Sequence, residues 1–322
     1  MRKGALLARA TRAKTLPVML MPVCVGAALA WNKFPYERCA KPVCAQVLVP
    51  HGFAWGWFAV TLIGAAALHL GANVLNDYYD EKSGADKLAR MDRTAIVTGT
   101  SLIESGQMTA TQVLGLAAAM FTVALACGAA LSIARGWTVF VLGALGALLA
   151  WQYVAPPVKY GYRGRGLGEL GIFAAFGLLP VAGSYFVQTR HLDGIAFEAA
   201  IVPGLLTTLV LYHHHFLHWR ADKAAGKMTP VAALEPARAM TAGGVAIAAT
   251  YAILIAEVVR GVYPWGALLA LVSAVPLLGQ WARARRDGVV QNHLQLLGAT
   301  LGASVLTGTA ISLSLVVQRA LR

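Results

Sequence analysis

Two short stretches hold most of the residues able to do polar chemistry in an otherwise apolar chain. In the first, His69, Asn73, Asn76, Asp77 and Asp80 stand at i, i+4, i+7, i+8 and i+11. A helix would carry all of them on one face. Asn and Asp oxygens are hard ligands of the kind Mg²⁺ takes, usually as one or two carboxylates completed by substrate phosphates. Asn76, Asp77 and Asp80 are therefore expected metal ligands. Gly84 permits a turn that would bring Asp86 back toward them, and Arg93 in the same link offers a cation for phosphate. A plain solvated loop is the competing reading of Asp80 to Asp92. It does not serve for the row from Asn73 to Asp80, because charges at the end of an apolar span are expensive unless they pair or bind an ion.

In the second stretch, His214, His218 and Asp222 fall at i, i+4 and i+8, with His213 and His215 beside them. That spacing predicts one shared face at the end of another helix. Imidazoles also suit Zn, Fe or Cu. A membrane diiron centre would need several such clusters, and the remaining histidines, His51, His69, His191 and His293, are scattered singly. Histidines packed or hydrogen-bonded around the site are the other reading. Ala85-Asp86-Lys87 and Ala221-Asp222-Lys223 are similar, a hint of a duplicated half.

The elements that must position these residues are set by composition. The chain has 322 residues, 58% hydrophobic and 13% charged, with a mean hydropathy of +0.62, far above what a soluble surface carries. Apolar runs long enough to cross a bilayer occur near 15–31, 53–76, 111–132, 137–154, 167–188, 197–217, 239–258, 263–281 and 294–317. About nine transmembrane helices follow, an all-α polytopic membrane protein read as one domain, 1–322. The first run has no small-residue cleavage site after it and reads as a retained span.

Lys and Arg number 27 against 14 acidic residues, for a formal charge of +13. No segment gathers them into a basic stripe, so nucleic acid is not expected as a partner. They concentrate instead in the N-terminal segment and every second link, which makes that side cytoplasmic in an inner membrane, with the N-terminus inside and the C-terminus outside. Asp77, Asp80, Glu81, Asp86, Asp92, Glu104, Asp222 and Glu235 fall on that same side. Cys24 and Cys127 lie inside spans and read as packed small residues. Cys39 and Cys44, in the external link 32–52, read equally as a bridge or as two free thiols.

The chain resembles the UbiA superfamily of intramembrane prenyltransferases, and its menaquinone-type branch in particular. Arg12, Lys14, Thr15, Leu16 and Pro17 are similar to that branch's opening segment, and His69 through Gly84 and Asp86 to its first Asp-rich motif. Asp92-Arg93-Thr94 resembles the stretch that follows. Pro157 to Arg163 with Leu167-Gly168-Glu169, and Gly226-Lys227 with Thr229, are similar to two further signatures. One position departs: His218 stands where the family's second motif has its first aspartate, with Asp222 on the second.

The resemblance implies a nine-helix bundle around a cavity open to the cytoplasmic side and a Mg²⁺-dependent transfer from an isoprenyl diphosphate to an aromatic acceptor. It implies 1,4-dihydroxy-2-naphthoate as that acceptor, in menaquinone biosynthesis. Asn76, Asp77, Asp80 and Asp86 would serve one metal, and Asp222 with His218 a second. Arg12, Lys14, Arg93, Lys159, Arg163 and Lys227 are candidates for phosphate contacts, and His69, Asn73, Tyr160 and Tyr162 for substrate positioning. For Tyr160 and Tyr162 an interfacial belt is the competing reading. Rival functions are another aromatic acceptor such as 4-hydroxybenzoate, a terpene cyclase without an acceptor, and a transporter. Transporters place their charges near the bilayer midplane on broken helices.

Overall fold

The structure, a computed structural model, describes residues 3–33, 52–92 and 94–322. Cys39, Cys44 and Arg93 lie outside the described residues, as does the side chain of Asp86. Among the described residues every regular element is a helix. Nine helices are long and apolar enough to cross a membrane: α1 Ala13–Asn32, α2 Trp55–Ser83, α3 Ala110–Arg135, α4 Trp137–Val154, α5 Leu167–Thr189, α6 Gly194–Leu217, α7 Pro236–Val259, α8 Trp265–Asp287 and α9 Val290–Ala320. Each coincides with one of the expected runs.

Two helix ends differ from the expectation, and both differences shape the site. Helix α2 continues past the apolar run expected to end at 76 and reaches Ser83, carrying Asp77 and Asp80 on it as their spacing predicts. Gly84, at φ 78°, stops the helix with a left-handed turn that a Cβ would oppose. The row His214, His218, Asp222 does not lie on one helix. The α-helical part of α6 ends at His214, a single 3₁₀ turn covers His215–Leu217, and His218 takes φ −152° before a short helix Trp219–Ala224 begins. The Leu217 carbonyl accepts the Ile96 N–H at 2.9 Å, which removes it from the helical ladder.

Helix α5 contains a π turn at Ala174–Leu178. Pro180 follows it and has no N–H to return to the Phe176 carbonyl, which favours the widened turn.

The main apolar core joins α1, α5, α6, α7, α8 and α9 through Leu29, Tyr185, Leu206, Ile247, Leu277 and Ile311. Helices α2, α3 and α4 share a smaller cluster around Val74, Leu75, Val113 and Val154. Lipid offers no hydrophobic drive between helices, so close backbone approach and hydrogen bonds must hold them. Asn32 Nδ2 donates to Leu315 O at 2.8 Å, Ser184 Oγ to Val23 O at 2.7 Å and Trp281 Nε1 to Met240 O at 2.9 Å. At Gly26 the α1 backbone lies directly against Val181 of α5, where an added Cβ would overlap the Val181 carbonyl. Gly26→Leu is expected to destabilise the bundle by about 3 kcal/mol or more through overpacking, read as a lowered thermal midpoint in detergent. An unchanged midpoint would contradict the close approach.

Candidate active site

A cavity of about 250 Å³ lies between α1, α2, α4, α5, α6 and α9. Its body is apolar, with Met19, Leu68, Leu149, Phe176, Leu211 and Leu301 among the walls. Its polar end is built from three parts of the chain: the segment before α1, the end of α2, and the segment from His214 to Lys227.

The segment before α1 places Arg12 in a left-handed conformation, φ 51°, and its guanidinium donates to Asp77 Oδ1. Asp77 Oδ2 is buried and accepts no hydrogen bond. One turn on, Asp80 accepts from Asn76 Nδ2 at 2.7 Å and from the Tyr162 hydroxyl at 2.6 Å. Asn73 Nδ2 donates to Thr15 Oγ1 at 3.1 Å, and His69 Nε2 lies 2.9 Å from the same hydroxyl. Thr15 thus fixes the upper half of the polar row against α1.

On the opposite wall the Asp222 carboxylate is ringed by nitrogen. Lys227 Nζ is 3.8 Å from Oδ1, while His215 Nδ1 and His218 Nε2 are 3.8 and 3.7 Å from Oδ2. The Lys227 N–H donates to Asp222 O at 2.8 Å, which closes the turn that sets the two side chains face to face. His215 Nε2 in turn lies 3.3 Å from Glu169 Oε1. His214 Nε2 pairs with Thr98 Oγ1 at 2.7 Å.

Tyr162 joins the two walls. Its hydroxyl holds Asp80, and its ring lies beneath the Lys227 ammonium, 5.2 Å from the centroid. The link that carries it docks on the Lys227 turn, Met228 N–H donating to Tyr162 O at 3.3 Å. Burial pushes the Asp222 carboxyl up, but the Lys227 ammonium and the His215 contact outweigh it and hold it at about 2. Burial likewise opposes charge on Lys227, yet Asp80 and Asp222 hold its ammonium above the ordinary lysine range. Burial, and then Asp80, push the Tyr162 phenol up, so it stays a donor. Burial keeps His218 below the usual imidazole value, and it is neutral at pH 7.

Most of the expected residues are therefore gathered at one cavity end: Arg12, His69, Asn73, Asn76, Asp80, Tyr160, His218, Asp222 and Lys227 all line it. Asp77 and Tyr162 stand directly behind, bonded to Arg12 and Asp80. Lys14 is exposed, and neither it nor Lys159 nor Arg163 belongs to the lining. Arg163 Nε instead donates to Val158 O at 2.6 Å and closes its own link. Tyr160 turns its hydroxyl away, donating to Leu149 O at 2.8 Å. Thr15, part of the opening segment, also lines the cavity, as do Thr98, Tyr153 and Phe176, which no motif marked. Phe176 is brought there by the π turn and meets His69 edge-on at 5.3 Å.

Among the described residues no three His, Cys, Asp or Glu side chains converge as a ready-made metal centre. The donors present fit a hard cation nonetheless. Asp77 Oδ2 and Asp222 Oδ2 are buried oxygens without a hydrogen-bond partner, and Mg²⁺ commonly completes its shell with water and substrate phosphate.

The model of the UbiA prenyltransferase family matches residues 42–308. The chain is 29% identical over 282 residues to the 1,4-dihydroxy-2-naphthoate octaprenyltransferase of Mycobacterium tuberculosis, covering 86% of this chain and 85% of that protein. It is 26% identical over 245 residues to the 2-carboxy-1,4-naphthoquinone phytyltransferase of Synechocystis, covering 74% and 75%. A solved UbiA homologue from Archaeoglobus fulgidus, bound to GPP and Mg²⁺, shares the fold at a TM-score of 0.61 and 14% identity, over 95% of this chain and 98% of that one. The chain belongs to the UbiA prenyltransferase family.

Proposed function

We propose that this protein transfers a prenyl group from a prenyl diphosphate to an aromatic acceptor, with 1,4-dihydroxy-2-naphthoate, the acceptor in the name of its Mycobacterium tuberculosis relative, as that acceptor. One observation carries the reading. Two carboxylate-bearing walls, each with its own cation, Arg12 on Asp77 and Lys227 on Asp222, close the polar end of an apolar cavity.

A prenyl diphosphate matches that division. Its chain lies along the apolar walls and its diphosphate meets Arg12 and Lys227. Asn76, Asp77, Asp80 and Asp222 would hold Mg²⁺, which when bound supplies charge neutralisation for the departing pyrophosphate. Tyr162 keeps Asp80 oriented by donating to it. As the allylic C–O bond breaks, the two cations face the developing negative charge without having to move. The apolar walls keep water from the allylic cation. An electron-rich ring carbon then attacks, and loses its proton or its carboxylate. His218 is neutral and lies beside Asp222 as a nitrogen donor in place of a second carboxylate. The charge bias of the links favours an inner membrane with the N-terminus and this site on the cytoplasmic side.

Purified protein given Mg²⁺, prenyl diphosphates of several lengths and competing aromatic acids is expected to yield a prenylated aromatic product by mass spectrometry. A cyclised hydrocarbon formed from the diphosphate alone would sink the reading. Tyr162→Phe keeps the ring under Lys227 but removes the donor to Asp80. It is expected to raise the half-saturating Mg²⁺ concentration about 10-fold or more, as for other groups that orient a metal ligand. An unchanged Mg²⁺ dependence would dissociate Tyr162 from the metal.

A further inference from the structure

Beside the apolar cavity lies a second, open one of about 910 Å³. Arg220, Arg238 and Arg285 stand exposed around it. Trp219 and a stacked pair, Phe216 on His293 at 4.8 Å and 15° between planes, form its aromatic surfaces. His293 is only 6% exposed, and its Nδ1 has no hydrogen-bond partner. Asp92 is the one carboxylate among the described lining residues, and it is already engaged by the Thr94 N–H and hydroxyl at 2.8 and 2.6 Å.

The two cavities share a partition. His218 borders both of them. The segment from Thr94 to Gly99 does the same: Thr94 lines the outer cavity, Val97, Thr98 and Gly99 the inner one. Three hydrogen bonds pin this segment to the His214–Arg220 stretch: Ile96 N–H to Leu217 O at 2.9 Å, Thr98 Oγ1 with His214 Nε2 at 2.7 Å, and Arg220 Nη1 to Thr94 Oγ1 at 3.1 Å.

We propose that the outer cavity binds the acceptor as an aromatic carboxylate and delivers it to the inner cavity past His218. This rests on the aromatic-acceptor reading above. At the inner cavity's polar end Arg12 and Lys227 are already engaged by Asp77 and Asp222, and Asp80 adds a further carboxylate, so no cation there is left unopposed for an incoming carboxylate. The outer cavity has the opposite character. Guanidinium groups take carboxylates in bidentate fashion, and a flat ring gains contact on the half-buried Trp219.

The test uses the full chain in detergent with 1-hydroxy-2-naphthoate as a fluorescent probe, in the absence of prenyl diphosphate and divalent cation. Saturable binding is expected, about tenfold or more weaker in the Arg238→Gln/Arg285→Gln double variant. The same loss is expected in Thr241→Trp, which fills the cavity from an exposed position and leaves the arginines intact. 1-Naphthol, without the carboxylate, should bind weakly to all three proteins. In turnover, KM for the acceptor should rise in both variants while KM for the prenyl diphosphate stays unchanged. Equal probe binding in wild type and both variants overturns the proposal. So does displacement of the probe by phosphatidylglycerol in nanodiscs, which would make the arginines a lipid headgroup site. Probe binding that is lost in the variants supports the site even if no aromatic is prenylated, and the failed transfer then falls on the reading of the reaction.

Discussion

Asp80→Asn is expected to lower prenyl transfer by about 10³-fold or more while the protein stays folded. Asparagine keeps the shape of the side chain and an oxygen that still accepts from the Tyr162 hydroxyl, now at 2.6 Å from Asp80. What it removes is a negative charge at the wall that faces Lys227 and would hold the metal. Loss of one preorganised electrostatic partner at a developing charge costs about 10²–10³ in rate, and loss of metal adds to that. Folding is spared because the amide oxygen keeps the bond from Tyr162, because Asn76 can turn its own amide to accept from the new NH2 group, and because Lys227 retains Asp222 at 3.8 Å. The comparison is single-turnover transfer at saturating Mg²⁺ alongside thermal unfolding in the same detergent. A rate within a few-fold of wild type would remove Asp80 from the reaction, and a collapsed melting curve would make its role structural.

The polar row of α2 was legible because a helix repeats every 3.6 residues and the row obeys that period from His69 to Asp80. Continuous apolar runs are equally direct, since bilayer thickness sets their length, and all nine appear as helices. The row His214, His218, Asp222 obeyed the same period and yet is broken by a 3₁₀ turn. Its helical reading fails because the Leu217 carbonyl pairs with Ile96, a residue more than a hundred positions away in sequence, and local periodicity carries no trace of such a partner. The three side chains still reach one cavity, so the grouping holds although its supposed geometry does not.

Pairings across the bundle were the least visible part. Arg12 and Asp77 are 65 residues apart, and Asp80 and Tyr162 are 82 apart. Only motif resemblance put them in one site, and resemblance says nothing of which atoms meet. Tyr162 was expected beside an acceptor and is instead the tie between Asp80 and Lys227. Phe176 carries no polar signal at all; its place in the cavity follows from a π turn whose one local cue is Pro180. Lys159 and Arg163 show the converse: basic residues in a motif are read as phosphate contacts, while Arg163 serves the backbone of its own link.

Lys227→Met is expected to lose both transfer activity and stability, and pH separates the causes. Lys227 is buried, 5% exposed, and removing one partner of a buried pair leaves an uncompensated carboxylate at a cost of about 3–5 kcal/mol. In the wild type the Asp222 carboxyl is held at about 2 against an ordinary value of 3.8, a contribution on the order of 2 kcal/mol. Because this folded value is depressed, the contribution is complete above the unfolded value near 4 and is lost as pH falls toward 2. In the variant, burial is no longer outweighed by the ammonium, so the Asp222 carboxyl moves up and its protonation favours the folded state. The stability gap between the two proteins should therefore be widest near pH 6 and narrow as pH drops to about 3. Asp222→Asn placed in the Lys227→Met background should recover stability, since no buried charge is left unpaired, but not transfer, since the diphosphate still lacks its cation. A gap that stays constant with pH, or a double variant as unstable as the single one, would show that Lys227 acts through packing rather than through Asp222.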